Sequence, residues 1–418
     1  MAQLSDDCFS GAGELMPTAQ ALALLDERLE VVCDAAPTAL RATLGRLLAE
    51  DVVAGQSVPP HPNSAVDGYA VHFDDLDPDR ETRLPVTGRA AAGHSLGRAS
   101  ARGEAIRIFT GAPVPPGPDT IMMQEDCREE GGDVIIAPGI KRGANLREAG
   151  EDITAGSTIL RAGRRLRPQD IGLAAAVGRT ELAVYRPLDV ALFSTGDEIR
   201  EPGQDLPDGC VYDSNRHTLI ALLDNLGCRV RDLGILPDHP DAIGGALEEA
   251  RDGSDLIVTS GGMSVGDEDH VKAAVEAFGS LHFWRLAIKP GRPVALGQVG
   301  RVPFVGLPGN PVAMMVTFLR IARPVILHLA GATDLEPHAF RVAAGFDHRK
   351  KAERREWVRV RLEADGDGGW IAAKFPREGA GILSSMVEAD GLIELAEDVT
   401  QLKAGTLVDF LPFSEFRL

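Results

Sequence analysis

The chain has 418 residues, 44% of them hydrophobic, and its 62 acidic against 43 basic side chains give a formal net charge of -19. That length exceeds one ordinary core and predicts two to four globular domains. The negative field repels polyphosphate backbones and anionic lipid, which argues against nucleic-acid and membrane partners and requires a locally positive pocket for any anionic ligand. Cys8, Cys33, Cys127, Cys210 and Cys228 are scattered without a C-x-x-C pair, a usage that fits a reducing compartment and neither a disulfide framework nor a zinc site. Met1 to Ser10 holds Asp6 and Asp7 and no basic-then-apolar signal, and no apolar run approaches about 18 residues. The expectation is a cytoplasmic protein.

Residues 17 to 54 carry helical spacing through Leu22, Leu25 and Leu29 and then Leu40, Leu44, Leu47 and Leu48, which predicts a mostly helical segment. From Gln56 to about Ala149 the pattern changes to short β-like runs (105 to 109, 120 to 123, 134 to 136) separated by Pro and Gly, as in a small inserted β domain. Residues 153 to 184 return to an apolar helical pattern around 169 to 177, and Arg186-Pro187 marks a boundary.

Residues 187 to 330 alternate regularly. Predicted strands lie at 190 to 193, 228 to 236, 255 to 259, 282 to 288 and 293 to 297, with helices at 218 to 226, 241 to 251, 271 to 278 and 311 to 329. Such alternation means a mostly parallel sheet with helices on both faces, and ligands then bind beyond the carboxyl ends of the strands. That rule puts Glu198, Asp238 and the turn after residue 258 on one rim. After Pro337 short strands return (357 to 362, 391 to 395, 406 to 410), predicting a closing β domain.

The turn Thr259-Ser-Gly-Gly-Met-Ser-Val-Gly-Asp-Glu-Asp-His270 joins a strand to a helix. Gly261 and Gly262 let main-chain N–H groups close on an anion at the helix N-terminus, and the acids that follow suggest phosphate accompanied by Mg2+. The same acids could merely favour the helix dipole, at about 0.3–1 kcal/mol each. Gly306-Leu-Pro-Gly-Asn-Pro311 is either a well-built helix start, with Asn310 as N-cap and Pro311 at the first position, or an anion pocket. Upstream, Arg285, Lys289 and Arg292 are interleaved cations at a strand end, or a solvated edge. Asp67 before Gly68, Thr110 before Gly111, and Arg147 near Glu151 and Asp152 read individually as turn residues and a surface ion pair.

The ordered set is more specific than its members. Asn63-Ser-Ala-Val-Asp-Gly-Tyr-Ala70, Phe109-Thr-Gly-Ala-Pro113, Gly150-Glu-Asp-Ile153, Ser194-Thr-Gly-Asp-Glu198, Asp213-Ser-Asn-Arg216, Thr259-Ser-Gly-Gly262 with Ser264-Val-Gly266, Ile288-Lys-Pro-Gly291 and Gly306-Leu-Pro-Gly-Asn-Pro311 resemble the MoeA family of molybdopterin molybdenumtransferases. These are relatives of the gephyrin C-terminal domain, and the resemblance runs from about residue 17 onward. It implies an α/β multidomain fold: a helical linking domain (17 to 55 with 150 to 185), an inserted β domain (56 to 149), a mostly parallel molybdopterin-binding-like α/β sandwich (186 to 333) and a C-terminal β barrel (334 to 418).

It also implies molybdenum insertion into adenylylated molybdopterin from molybdate, with Mg2+-dependent release of AMP, by a homodimer. An upstream adenylyltransferase and recipient molybdoenzymes are the implied partners. Asp67, Thr110 and Asp152 of one subunit would then face Glu198, Asp238, Asp269 and Lys289 of the other. The backbone of Gly261 and Gly262 with Ser264 would hold the pterin-side phosphate, and Lys289 with Arg285 would offset anionic charge. Arg147, Asp213, Asn215, Arg292, Pro308 and Asn310 complete the substrate contacts, and Asp269 with Asp238 or Glu198 would hold Mg2+. Arg285 and Arg292 stand where many relatives carry lysine, which replaces a point charge by a planar fork. An adenylyltransferase-like enzyme, a tungsten-specific relative and a dimeric scaffold are the alternatives.

Overall fold

The strand Asp189–Thr195 sends Val190 and Leu192 to one side and Ala191 and Phe193 to the other, because side chains alternate along an extended chain. Both faces are apolar, so each needs a layer over it. Leu219 and Leu223 of the helix Ser214–Leu226, with Val316 and Ile326 farther along, cover the first. Ile243 and Leu247 of the helix Pro240–Arg251, with Val271 and Val275 of the helix His270–Phe278, cover the second. Cutting a fully buried leucine such as Leu192 back to alanine in such a layer costs about 2–5 kcal/mol.

The computed structural model describes residues 16–262, 270–291, 293–366 and 368–416, and within them not the side chains of residues 26, 281–285 and 293. The central sheet has the spatial order Arg229–Leu236, Asp189–Thr195, Leu256–Ser260, Val302–Leu307, Pro293–Val299, Gly279–Arg285. Its first four strands are parallel, Pro293–Val299 runs against them and Gly279–Arg285 turns back to their direction, so the expected mostly parallel sandwich is the architecture found. Sequence patterning passes over the strand Val302–Leu307, which follows its neighbour across the two-residue turn Gly300-Arg301 and carries Pro303 near its start.

The segment Pro311–Leu329 forms 19 continuous helical residues with a π-helical stretch at Phe318–Ala322. Its mean hydropathy of 1.6 makes it long and apolar enough to cross a membrane, contrary to the expectation that no such run exists, yet it is 89% buried inside the protein as a core helix. Arg320, within this helix, pairs with Glu336 at 3.2 Å and Glu394 at 3.4 Å.

Residues 17 to 54 are not mostly helical. The helix Thr18–Arg28 exists and docks Ala21, Leu25 and Leu29 against the α/β core, but the second leucine group belongs to other structures. Ala35–Ala39 is a strand antiparallel to Glu181–Tyr185, Leu40 opens a 3-10 turn, and Leu44 is 59% exposed. Leu47 and Leu48 are both buried although adjacent, which a loop permits and one helix face does not. Short strand pairs and the helix Pro168–Ala176 complete this linking part, which holds fewer helices than its spacing suggests.

The inserted domain is a six-stranded sheet in the order Thr120–Met123, Gly68–Val71, Ala105–Ile108, Thr82–Ala90, Asp133–Ile136, Cys127–Glu130. In the C-terminal region Arg355–Ala364 pairs with both Trp370–Lys374 and Gly391–Leu395, which closes five strands into a barrel. The barrel borders the α/β domain twice. Ile288–Lys289 runs parallel to Arg355-Glu356, and the Val312 N–H donates to the Ala380 carbonyl at 2.9 Å.

Candidate active site

A cleft of about 930 Å3 opens beyond the carboxyl ends of Asp189–Thr195 and Leu256–Ser260, where an open α/β sheet places its ligands. It brings together Glu198, Asp213, Asn215, Asp238, Gly261, Gly262, Pro308 and Asn310 from five separate segments. Asn215 ties three of these segments: its Nδ2 donates to Ser260 Oγ at 2.9 Å and to the Gly309 carbonyl at 2.7 Å. The helix carrying it starts at Asp213, whose carboxylate accepts from the Arg216 N–H at 3.0 Å and from Arg216 Nε at 3.2 Å. Arg216 is itself buried and also pairs with Glu201 and Asp232, so the helix start is held from two sides.

The two glycines of the turn are required by their surroundings. Gly261 has φ +92 and an added Cβ would lie 2.7 Å from the Thr195 carbonyl, while at Gly262, with φ +62, it would lie 2.5 Å from Val271 Cγ2. The chain therefore passes the strand ends without side chains, and the space above remains open to a ligand. Ser194 Oγ, Thr195 Oγ1, Asn215 Oδ1 and Asp238 Oδ1 are buried polar atoms lining this cleft with no hydrogen-bond partner among the described residues. Burying such atoms unpaired costs about 1–3 kcal/mol each, which a polar ligand or water would relieve.

Among the described residues the cleft lining contains Glu198, Asp213 and Asp238 and no lysine or arginine. Positive charge lies next door. Lys289 lines an adjoining pocket of about 230 Å3, where Nζ is 2.9 Å from Glu356 Oε1 and 3.6 Å from Glu378 Oε2. Gly291 and Ala380 border both cavities. Lys289 thus shares a border with the cleft rather than its wall, because its two-residue strand pairs with the barrel edge.

The inserted domain gathers a second polar group. Leu146–Arg147 pairs with Asn63–Ser64, and the Asp152 N–H donates to the Val58 carbonyl at 3.0 Å with its side chain exposed. Thr110 donates its N–H and its hydroxyl to Asp67 Oδ1, each at 2.8 Å. These bonds, the backbone one foremost, hold the Asp67 carboxyl below its ordinary pKa. Arg107 stacks over Tyr69 and Phe109 and donates to the Gly68 carbonyl at 3.0 Å. Among the described residues Asp67, Thr110, Arg147 and Asp152 do not line the cleft of their own chain.

Ser264, Asp269 and Arg292 lie outside the described residues, as does the side chain of Arg285. Asn310 occupies the N-cap position with Pro311 after it, but its side chain makes no capping bond; the Ala380 carbonyl takes up the Val312 N–H instead. Tyr212, Ala380 and Gly381 line the cleft without having been singled out from sequence. Tyr212 directly precedes the Asp213-Ser-Asn-Arg216 motif, which is a usable signal, whereas Ala380 and Gly381 arrive from the barrel region through tertiary packing.

The described residues contain no group of three or more His, Cys, Asp or Glu side chains arranged to hold a metal. Two members of the expected oxygen set, Glu198 and Asp238, do line the cleft, and Asp238 Oδ1, which has no partner among the described residues, is a hard donor suited to Mg2+.

Three family models match in succession: "MoeA N-terminal region (domain I and II)" over residues 16–178, "Probable molybdopterin binding domain" over 191–328, and "MoeA C-terminal region (domain IV)" over 341–413. The molybdopterin molybdenumtransferase of Haemophilus influenzae is 37% identical over 377 residues, covering 90% of this chain and 93% of that protein. Molybdopterin molybdenumtransferase 2 of Mycobacterium tuberculosis is 35% identical, covering 87% and 91%. The crystal structure of the molybdopterin biosynthesis moeA protein from Pyrococcus horikoshii OT3 superimposes with a TM-score of 0.83 at 28% identity, over 96% of this chain and all of that one. With three family models matched in succession and relatives covered over about nine-tenths of their length, the chain belongs to the MoeA family, the molybdopterin molybdenumtransferases.

Proposed function

We propose that this transferase of molybdenum cofactor biosynthesis takes adenylylated molybdopterin and molybdate as substrates, loads molybdenum at the dithiolene and releases AMP. The observation that carries the reading is the cleft itself. It has a side-chain-free turn at Gly261 and Gly262, hydroxyls at Ser194 and Thr195 that find no partner among the described residues, and the acids Glu198 and Asp238 in a lining whose described residues include no lysine or arginine. An anion reaching such a wall needs a cation with it. Glu198 and Asp238, with Asp269 from the segment outside the described residues, would hold Mg2+, which when bound would polarise the scissile phosphoanhydride. The chain's own part is to seat the phosphate on the Gly261 and Gly262 backbone, fix the ligand edge near Asn215, and offset anionic charge from Lys289.

A homodimer completes the proposal. Asp67 and Thr110 form an ordered pair that their own chain's cleft does not use, which supports a site that Asp67, Thr110, Arg147 and Asp152 complete from a second subunit. An upstream adenylyltransferase would supply the substrate, recipient molybdoenzymes would take the product, and the cytoplasm is the setting that fits.

The test is a release assay with adenylylated molybdopterin, Mg2+ and either molybdate or tungstate, measuring AMP and metal-loaded cofactor together. Coupled release of both is expected; a folded dimer that yields neither would overturn the assignment, and tungstate preference would redirect it. Asp269→Asn is expected to abolish Mg2+-dependent AMP release while leaving pterin binding largely intact. Unchanged turnover in that variant would return Asp269 to a helix-dipole role.

A further inference from the structure

Five side chains between the α/β domain and the barrel close a ring. Lys289 Nζ donates to Glu356 Oε1 at 2.9 Å; the same oxygen lies 3.0 Å from His348 Nε2. His348 Nδ1 lies 3.1 Å from Lys374 Nζ, Lys374 pairs with Glu378, and Glu378 Oε2 is 3.6 Å from Lys289 Nζ. His348 and Glu356 are buried, at 7% and 5% exposure, while Lys289 and Glu378 reach toward solvent.

The tautomer of His348 follows from its neighbours. An ammonium has only donors, so His348 Nδ1 must accept from Lys374, and the ring proton then sits on Nε2 and is donated to Glu356. The ring balances two cations against two carboxylates with a neutral imidazole between them. We infer that His348 is a positioning residue for Lys289: the neutral Nε2–H tautomer fixes the Glu356 carboxylate, and that carboxylate fixes the direction of the Lys289 ammonium at the border of the cleft. The inference rests on the reading of Lys289 as a group that offsets anionic charge during molybdenum transfer.

Protonating His348 would undo this arrangement in two ways. Nδ1 would become a donor facing the Lys374 ammonium, and the imidazolium would compete with Lys289 for Glu356. The charged groups around it are Glu356 and Arg359 from Arg355–Ala364, Lys374 from Trp370–Lys374, Glu378 from the following loop, and Lys289. Asp347 and Arg349 flank it on its own segment with Lys350 next, and the paired strand Gln401–Leu402 presents no charge of its own. Glu378 is held below the ordinary carboxylate range, first by its hydrogen bond from Lys374.

The experiment is a pH profile of molybdate-dependent AMP release for the wild-type chain and for His348→Gln, His348→Leu, Lys374→Met and Lys289→Ala. Glutamine can place an amide N–H where Nε2 stands, so His348→Gln is expected to stay within about threefold of the wild type at neutral pH, whereas His348→Leu loses about tenfold in kcat/KM. The acid limb of the wild type is expected to vanish in His348→Gln. In Lys374→Met it is expected to move to higher pH, because removing the neighbouring cation favours the imidazolium. An inactive Lys289→Ala beside an unaltered acid limb in both His348→Gln and Lys374→Met would overturn the positioning role alone. A fully active Lys289→Ala would instead overturn the role of Lys289 on which it depends.

Discussion

Thr110 gives both of its donors to a single oxygen of Asp67, at 2.8 Å each, so a hydroxyl and a main-chain N–H converge on one carboxylate of the inserted domain. The bonds favour the charged form, and the depressed pKa means that their contribution is present above the ordinary carboxylate range and lost as pH falls through the lowered folded value. Thr110→Ala keeps the backbone bond and removes the hydroxyl. Its Asp67 should titrate at higher pH than in the wild-type chain. Thr110→Ser should restore the wild-type profile; carboxyl NMR titration of the three proteins checks this.

Substituting Gly261 by alanine forces a side chain into the left-handed region and against the Thr195 carbonyl. Strain of this kind costs about 1–3 kcal/mol, and the displaced turn should also lose its anion-facing N–H groups. The expected result is a lowered melting midpoint together with turnover reduced more steeply than the stability loss explains. Differential scanning calorimetry alongside the release assay separates the two.

Arg216 is 3% exposed and ion-paired with Asp213, Glu201 and Asp232. Removing one partner of a buried pair leaves uncompensated charge, so Arg216→Met should destabilise the α/β domain by about 3 kcal/mol. Since Asp213 and Asn215 open the same helix, substrate binding should weaken as well. Urea unfolding followed by far-UV circular dichroism gives the first effect, and equilibrium dialysis of AMP the second.

Burial raises the thiols of Cys33 and Cys127 to about 11 and that of Cys228 to about 12. The thiolate is the reactive form, so at about pH 8 each should carry roughly a hundredfold less of it than a free cysteine, or lower still. Iodoacetamide labelling of the native protein should proceed slowly at these positions and rapidly after unfolding, as mass spectrometry of the peptides would record.

The α/β domain was the most legible part of the sequence because strands such as Leu256–Ser260 are buried along their whole length and open on an apolar run, here Leu256-Ile-Val258. Val302–Leu307 is equally buried after its first residue, but Pro303 and a two-residue turn run it into the strand before it. The leucines at 40 to 48 had helical spacing without a helix, since local period says nothing about a partner strand at 181 to 185. For the site, glycines and short polar motifs marked the cleft well: Asn215, Gly261, Pro308 and Asn310 meet there. That Lys289 lines the adjoining pocket was not legible, because its partner Glu356 lies 67 residues away. No local pattern carries a pairing of that range.

At the start of the helix Pro311–Leu329 the first available N–H belongs to Val312 and is taken by Ala380, from a segment that also supplies Gly381 to the cleft lining. The barrel therefore acts as a lintel over the opening. Shortening the chain after the core helix would leave the α/β domain with an uncapped end and a cleft missing part of its rim. Transplanting the α/β domain alone onto another scaffold would meet the same gap, so the smallest portable unit of this site includes the last eighty or so residues.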